Sequence, residues 1–464
     1  MHEVERAALG ALLERELGAG LCVHGAAIDP RHYTAYNEAP GERPLALVRP
    51  HSVDEVSAAL ALCNRLGLGV VPQGGLTGLA GGARTAADQV ALSLERFNGI
   101  ETLDADAATV VVRAGSVLQT VADEVDRAGF ALGIDLGARG ACQIGGNLAT
   151  NAGGNRAIRF GVMRDQVLGI EAVLADGSVV GGLNGMLKNN AGYDLKHLFI
   201  GSEGTLGVIT RAVLKLYPRQ TATATCLCAL RDDAAVLALW RRARAELPAL
   251  TSFEVMWPDF YRHVCANTPG LTVPLAPGDG CHVLLECASG NAAAGALDAQ
   301  LEHCLGGWFD AGLIDDAVLA TSLDQAASLW RLREGLAIDE LPNLINYDIS
   351  LPLGVICGFV EHCRAALAAR WPASFSVFFG HIGDSNLHIG VSLPQLPEDG
   401  AAAVDALVYA EVQRLGGSIS AEHGIGRYKK AFLGHSRSAA DMALMRTLKA
   451  ALDPRGILNP GAVL

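Results

Sequence analysis

Residues 381–388 read His-Ile-Gly-Asp-Ser-Asn-Leu-His, and Glu422-His423 follows further along the chain. His381, His388 and Glu422 are of the types that a divalent metal of borderline softness selects as ligands. Because they supply only three ligands, water or a substrate could take the open positions, as in a catalytic site. His423 adds a titratable side chain beside the third ligand. On these residues alone, two core histidines that flank a turn remain an alternative interpretation.

The elements around the histidines predict how they could meet. An apolar segment over 375–379 predicts a strand, and the residues 383–386 predict a turn that joins it to a second strand. Adjacent antiparallel strands would bring His381 and His388 together across this hairpin. A short strand over 418–420 is expected to lead to the second part of the cluster.

The first half of the chain carries glycine-rich segments at 73–82 and 145–154. Glycine allows close backbone approach and positive φ, so successive N–H groups can surround a pyrophosphate. Neither segment reads GxGxxG between a strand and a helix, which argues against a Rossmann NAD site. Each segment alone could be a tight turn, but two in one domain favour a dinucleotide. A redox cofactor together with a metal site indicates an oxidoreductase that acts on a small, metal-chelating substrate.

Bulk properties narrow the class of protein. A chain of 464 residues predicts two or three domains. The formal net charge of −13 argues against a nucleic-acid partner. Eleven cysteines without a CxxC pair are typical of reduced thiols, and we expect a cytoplasmic location. The start lacks signal-peptide features, and no run of about 18 uninterrupted apolar residues predicts a transmembrane segment.

Local signals place helices and strands on both sides of a composition change at Tyr217-Pro218. A capping box at Ser52–Glu55 predicts a helix with an apolar face from Val56 to Leu66 and an end at Gly67. Beyond Pro218, strand-like segments alternate with alanine-rich helices, which is typical of an α+β sheet covered on one face. The predicted strands lie at 223–230, 252–256, 282–287, 347–351 and 375–379.

Five motifs, in their order and spacing, resemble the FAD-binding domain of the vanillyl-alcohol oxidase superfamily. They are PQGGLTG from Pro72, DLGA from Asp135, QIGGNLATNAGG from Gln143, NAGYDL from Asn190 and IGSEGTLG from Ile200. Within the superfamily, the chain is similar to the FAD-dependent D-2-hydroxyacid dehydrogenases, which include D-2-hydroxyglutarate and D-lactate dehydrogenases. The resemblance runs from about residue 45 to the end of the sequence.

The resemblance implies an α+β fold in three segments. Residues 1–218 would form a two-lobed FAD-binding domain of the p-cresol methylhydroxylase (PCMH) type. Residues 219–415 would form a substrate (cap) domain with an antiparallel sheet and the metal site, and the helical segment 416–464 would pack back on the FAD domain.

The same resemblance implies how FAD is held between the two lobes. Residues 73–78 would contact the pyrophosphate, 135–154 the flavin and 203–209 the adenine. No histidine lies within 73–82, so we expect non-covalent FAD. The residues expected to contact FAD are Pro72, Gln73, Gly74, Gly75, Thr77, Gly78, Asp135, Leu136, Gly137, Gly145, Gly146, Asn147, Thr150, Asn151, Gly154, Glu203, Gly204, Gly207, Val208, Ile209 and Asn459.

For the metal cluster, the resemblance implies a divalent ion, with zinc expected, on His381, His388 and Glu422. The implied reaction takes a hydride from C2 of a D-2-hydroxy acid to flavin N5. The metal would polarise the substrate hydroxyl, and His423 would accept its proton as general base. Support of Glu422 through a hydrogen bond is the alternative role of His423.

Two further residues are implied to contact the substrate. Asn386 would lie near it, and Arg333 would bind its C1 carboxylate with the planar guanidinium. Taken without the resemblance, Arg333 would be interpreted as an exposed helix arginine paired with Glu334 or Asp339.

The chain departs from the resembled enzymes at three positions. Ser385 replaces a usual glycine, which changes the turn but removes no ligand. Ala337 and Asn346 stand where D-2-hydroxyglutarate dehydrogenases carry a threonine and a lysine for the distal carboxylate of the substrate. Because a buried carboxylate without a cation is costly, we expect a substrate that has no distal carboxylate.

The implied partners are a small 2-hydroxy acid and an electron acceptor such as an electron-transfer flavoprotein, a quinone or a cytochrome. The resemblance also allows a homodimer. The alternatives to this function are D-2-hydroxyglutarate dehydrogenase proper, a flavin alcohol oxidase with an unused metal site, and a non-catalytic flavoprotein subunit that relays electrons.

Overall fold

The computed structural model describes residues 3–34, 41–293, 295–396 and 401–464. The chain divides into two compact units. The first unit consists of Met1–Gly154, Phe160–Pro218 and Glu422–Leu464, and the second consists of Asn155–Arg159 and Arg219–Ala421. The predicted segments 1–218, 219–415 and 416–464 remain a prediction as functional domains.

The first unit contains two sheets within its described residues. Its strands are β1 (Cys22–His24), β2 (Ala46–Val48), β3 (Val70–Gln73), β4 (Val90–Ser93), β5 (Ile100–Asp104), β6 (Thr109–Arg113), β7 (Phe130–Leu132), β8 (Val167–Val173), β9 (Val179–Gly182) and β10 (Val208–Pro218). One sheet has the order β1-β2-β4-β3, with β3 and β4 parallel. The other has the order β5-β6-β10-β8-β9, and β7 pairs with β10. The helices up to Phe199 are α1 (Glu3–Leu17), α2 (Val53–Leu66), α3 (Leu118–Arg127), α4 (Ile144–Thr150), α5 (Ala157–Phe160), α6 (Met163–Gln166) and α7 (Lys196–Phe199).

The start and end of α2 show how the sequence sets these elements. The Ser52 hydroxyl accepts a hydrogen bond from the Glu55 amide, and Gly67 ends the helix at φ +69°. The Glu55 carboxylate accepts from the His51 amide rather than from that of Ser52. Leu66, predicted on the apolar face, is 37% exposed. The prediction of this helix is therefore confirmed, except for these two details at its ends.

In the second unit, helices cover an antiparallel sheet with the order β14-β11-β13-β12-β16-β17-β15. The strands are β11 (Ala222–Leu230), β12 (Leu250–Met256), β13 (Cys281–Ser289), β14 (Asp316–Leu319), β15 (Leu344–Ser350), β16 (Phe375–Gly380) and β17 (Asn386–Ser392). The helices are α8 (Asp233–Glu246), α9 (Pro258–Asn267), α10 (Ala296–Asp310), α11 (Leu323–Glu334), α12 (Ile356–Arg370) and α13 (Ala402–Arg414). A core of Met256, Leu284 and Val377 from the sheet packs with Phe260 of α9 and Leu332 of α11. The predicted α+β class is confirmed.

The last part of the first unit contains α14 (Ala439–Leu452) and then returns to the first sheet. Leu458 forms a parallel bridge with Val70 of β3. The Val70 amide donates to the Ile457 carbonyl, and the Asn459 amide donates to the Val70 carbonyl.

Short 3-10 helices lie at Gly25–Ala27, Pro30–His32, Leu336–Glu340, Leu353–Val355, Ile382–Asp384 and Lys430–His435.

The predicted strand over 418–420 is wrong. Ser418 makes only an isolated bridge with Ser350. The Ser418 hydroxyl instead bonds the carbonyl of Ser420, and Asp348 accepts from the Ser420 hydroxyl and the Ala421 amide. These side-chain hydrogen bonds compete with the strand ladder and bend the chain.

His282 on β13 makes the second unit sensitive to acid. Its ring is buried and stacks on Tyr261 with 3.6 Å between ring centroids. Burial lowers the pKa of His282 from 6.5 to about 4. The folded unit therefore binds this proton less readily than the unfolded chain, so stability present above pH 6.5 is lost as the pH falls towards 4.

The free energy of unfolding of the protein is expected to be lower at pH 4.5 than at pH 7. We expect His282→Phe to make this difference about 2 kcal/mol smaller. Urea unfolding at both pH values measures the free energy of unfolding. His362→Phe is the control, because His362 is exposed. An unchanged difference between the two pH values would contradict the assignment.

Candidate active site

A cleft in the first unit brings together most of the predicted cofactor residues. It lies at the end of β3, along the start of α4 and beside the turn before β10. Its lining includes Pro72, Gln73, Gly74, Gly75, Thr77, Gly78, Gly145, Gly146, Asn147, Thr150, Glu203, Gly204, Gly207, Val208, Ile209 and Asn459. His423 lines the same cleft.

The glycines of the cleft have two different roles. A Cβ added to Gly78 or Gly146 would meet no atom within 4 Å, so these positions leave open space along the lining. A Cβ added to Gly75 would lie 2.0 Å from the carbonyl oxygen of Ala141, so only glycine allows the backbone to approach Ala141 this closely. The first role leaves room for a ligand, and the second is structural.

Two buried polar atoms of the cleft fit a ligand. Gln143 Oε1 and Asn459 Oδ1 have no hydrogen-bond partner among the residues that the structure describes. Buried polar atoms are nearly always paired, so these acceptors suit the N–H and O–H groups of a dinucleotide. Asn459 Nδ2 donates to the carbonyls of Gly82 and Glu203 at 2.9 and 2.8 Å, which fixes the returning C-terminal segment at the cleft.

Five predicted cofactor residues are not part of this lining: Asp135, Leu136, Gly137, Asn151 and Gly154. Asp135 pairs with Arg139 at 3.0 Å. Asn151 ends α4 at φ +51°, so the second glycine-rich segment contains a short helix rather than only a loop. A Cβ on Gly154 would lie 2.1 Å from the Asp135 carbonyl oxygen, which gives this glycine a packing role. Contact with FAD stays a prediction for these five, as it does for the residues that line the cleft.

Glu203 has a role that the sequence did not indicate. Its carboxylate accepts from the amides of Ile425 and Gly426 at 2.7 and 2.8 Å. Burial raises the pKa of the Glu203 carboxyl despite these two bonds. Glu422 is held in the same unit, because its Oε1 accepts from the Gly154 amide at 3.1 Å. The Glu422 side chain before His423 and the backbone at Ile425 and Gly426 after it are thus fixed within the first unit.

In the second unit, the predicted hairpin is confirmed. His381 follows β16, and β17 carries His388 opposite Phe379. The two imidazole rings lie 5.4 Å apart between centroids and nearly perpendicular, at 78°. The turn is a 3-10 helix that ends at Ser385 with φ +74°, a conformation that favours the glycine usual in the resembled enzymes.

A buried carboxylate, Glu254 on β12, joins His381 to Arg333. Its Oε1 accepts from His381 Nδ1 and its Oε2 accepts from Arg333 Nε, each at 2.7 Å. Burial raises the pKa of Glu254, but His381 and Arg333 together hold it below the usual range. Arg333 Nη2 lies 3.3 Å from His381 Nε2. Arg333 is therefore buried and bound, not the exposed helix arginine of the alternative interpretation.

Asn386 and Asp348 complete the polar end of the sheet. Asn386 is 3% exposed, and neither its Oδ1 nor its Nδ2 has a partner among the described residues. Asp348 lies opposite His388 in the β15–β17 register and is fully buried. Sequence reasoning missed Glu254 and Asp348. A carboxylate inside an apolar strand was the available signal for both.

Comparisons with known proteins agree with this architecture. The protein-family model of the FAD binding domain matches residues 44–181. The protein-family model of the C-terminal domain of FAD linked oxidases matches residues 218–463. D-2-hydroxyglutarate dehydrogenase of Xanthomonas citri pv. viticola is 41% identical over 426 residues, which cover 90% of this chain and 89% of that protein. The mitochondrial D-2-hydroxyglutarate dehydrogenase of Bos taurus is 40% identical over 423 residues, with 90% and 76% covered.

Among solved structures, p-cresol methylhydroxylase with bound substrate has a TM-score of 0.76 at 14% identity and covers 100% of this chain and 97% of its own. An alkyldihydroxyacetonephosphate synthase has a TM-score of 0.67 at 18% identity, with 90% and 76% covered. These two likenesses establish the PCMH-type fold.

The matched domains define an FAD-dependent oxidoreductase. The chain belongs to the FAD-linked oxidases of the vanillyl-alcohol oxidase superfamily, among the D-2-hydroxyacid dehydrogenases. In the part of the chain that the structure describes, no helix has the length and apolar character to cross a membrane.

Proposed function

We propose that this protein oxidises a D-2-hydroxy acid without a distal carboxylate to the 2-oxo acid, using non-covalent FAD and a divalent metal, with zinc expected. The observation that carries the proposal is the buried pair of Arg333 and Asn386 beside His381. Glu254 and His381 engage Arg333 at Nε and Nη2, and Nη1 has no hydrogen-bond partner among the described residues. The remaining N–H groups suit a substrate carboxylate, and the unpaired amide of Asn386 suits a second polar group of the substrate.

The donor set supports the metal. Because the Glu254 carboxylate accepts from His381 Nδ1, the ring lone pair of His381 lies at Nε2, the atom that would bind the metal in place of its contact with Arg333 Nη2 at 3.3 Å. The Ala421 amide donates to Asp348, which lies opposite His388, and Glu422 is the next residue in the chain. This connectivity supports Glu422 as the third ligand. Bound in this way, a metal would chelate the carboxylate and hydroxyl of the substrate and favour ionisation of the hydroxyl.

The protein residues supply positioning and proton transfer. FAD, when bound, would accept the hydride from C2. His423 lines the cleft with the predicted FAD residues, which supports its role as the base that accepts the hydroxyl proton. The buried acceptors Gln143 Oε1 and Asn459 Oδ1 would bind polar groups of FAD.

Ala337 and Asn346 support the proposed substrate class. Ala337 is buried at 7% exposure and apolar, and Asn346 is exposed and neutral. Neither position provides a charge for a distal carboxylate. D-2-hydroxyglutarate is the second candidate, because relatives about 40% identical carry its name.

Anaerobic reduction of the bound flavin by a panel of hydroxy acids tests this proposal. We expect D-lactate or a longer D-2-hydroxymonocarboxylate to bleach the flavin with a higher kcat/KM than D-2-hydroxyglutarate, and the L-enantiomers to be poor. A panel in which D-2-hydroxyglutarate exceeds every monocarboxylate would refute the substrate class. The double variant Ala337→Thr, Asn346→Lys should shift the ratio of kcat/KM towards D-2-hydroxyglutarate by about tenfold, because it adds a charged hydrogen bond.

The remaining partners are proposed on the family resemblance. Electrons would leave the reduced protein to an electron-transfer flavoprotein, a quinone or a cytochrome. The cytoplasmic location is also a proposal, and the Bos taurus relative is mitochondrial by name.

A further inference from the structure

We propose that Glu254 is a positioning residue that holds Arg333 and His381 together, so that one carboxylate sets both the substrate-carboxylate site and a metal ligand. The inference rests on the proposed function, in which these two side chains contact the substrate and the metal. Glu254 itself would contact neither.

The location of Glu254 is costly without such a role. It lies in β12, in which every residue is buried, and its cross-strand partner on β13 is the apolar Leu284. Its own exposure is 1%. An ionised carboxylate in such surroundings costs several kcal/mol unless charged hydrogen bonds compensate it. Apolar residues of similar size could fill this position if packing were the only requirement.

The two carboxylate oxygens of Glu254 bind different partners. Oε2 accepts from Arg333 Nε and Oε1 accepts from His381 Nδ1, both at 2.7 Å. Such short distances are typical of charge-assisted hydrogen bonds. Each oxygen serves one partner, so the guanidinium and the imidazole are fixed with respect to the same rigid group.

Each of the two bonds uses a nitrogen other than the one that would contact the metal or the substrate. A bond at Nδ1 fixes the imidazole tautomer and places the lone pair of His381 at Nε2, which lies 3.3 Å from Arg333 Nη2 and would be the metal-binding atom. A bond at Nε of Arg333 leaves the end of the guanidinium, including Nη1, for a carboxylate. Phe379 supports the same orientation, because its ring centroid lies 4.9 Å from Arg333 Cζ.

The competing explanation is a purely structural ion pair that fastens α11 to the sheet. The conservative variant Glu254→Gln distinguishes the two, because an amide keeps the shape but can accept at only one of its two ends. We expect its zinc affinity, measured by chelator competition on the FAD-loaded protein, to fall 10–100-fold. At saturating zinc, the KM for the best hydroxy acid should rise at least tenfold, with a smaller change in kcat.

Glu411→Gln is the matched control in the same unit. Glu411 on α13 is a mostly buried carboxylate that Arg414 binds at 2.6 and 2.7 Å. Its loss removes an ion pair without touching Arg333 or His381. We expect the zinc affinity and KM of this control to stay within twofold of the wild type.

A folded Glu254→Gln protein with zinc affinity and KM both within twofold of the wild type would overturn the inference. If this variant does not fold, Glu254→Asp replaces it, since a shorter carboxylate cannot reach both partners. Its zinc affinity or KM should then change at least fivefold, and unchanged values would overturn the inference. A wild-type protein that binds no zinc, or that no hydroxy acid reduces, would instead overturn the proposed function.

Discussion

His423→Asn is expected to slow flavin reduction by about 10²–10⁴-fold, while the affinity for the hydroxy acid changes less than threefold. Asparagine keeps a polar group in the cleft but cannot accept the hydroxyl proton. His423 lines the cleft of the predicted FAD residues, and the bonds of Glu203 and Glu422 fix the backbone around it. Anaerobic stopped-flow absorbance over a range of substrate concentrations separates the rate of reduction from the affinity.

His435→Asn is the matched control, because His435 lies in the same C-terminal segment and, among the described residues, its ring bonds the local carbonyl of Phe432. It should reduce its flavin at the wild-type rate. A His423→Asn protein with a normal reduction rate and weakened zinc binding would contradict the base role. That result would favour the alternative in which His423 supports Glu422.

His388→Ala should lower kcat by at least about 10²-fold, because a metal contributes several kcal/mol to stabilising charge in the reaction. The flavin spectrum should stay unchanged, since His388 is not among the residues that line the cleft of the predicted FAD residues. Metal analysis and steady-state assays measure both effects. A chelator should bring the wild type to the same low activity, and added zinc should restore the wild type but not the variant.

The exposed His362 on α12 supplies the control for histidine loss, and His362→Ala should retain both metal and activity. Full activity of metal-free wild type would refute metal dependence. It would favour a flavin alcohol oxidase in which the metal site has no catalytic role.

Local sequence signals predicted the elements that depend on neighbouring residues. The caps of α2 and the hairpin that joins His381 to His388 follow from residues only a few positions apart. The glycine pattern also indicated the cleft, because positions such as Gly78 need open space rather than a distant partner.

The missed features depend on residues that are distant in sequence. Glu254 meets His381 across 127 positions, and nothing near it in the sequence indicates that partner. Residues 203–209 were expected to contact the adenine through their backbone, and the side chain of Glu203 instead binds the backbone at Ile425, 222 positions away. The wrong prediction of a strand over 418–420 has the same cause. Asp348, which is distant in sequence, accepts hydrogen bonds from the Ser420 hydroxyl and the Ala421 amide.

The return of the chain to β3 has a consequence for biosynthesis. Leu458 pairs with Val70, and Asn459 lines the cleft whose first residues lie at Pro72. A ribosome that has made the first 218 residues has therefore not yet supplied every wall of the cofactor cleft. The second unit is almost continuous in sequence and can fold on the nascent chain before Asn459 is made. Completion of the predicted flavin site thus waits for the end of synthesis, and an unfinished polypeptide released from the ribosome would lack Asn459 in its lining.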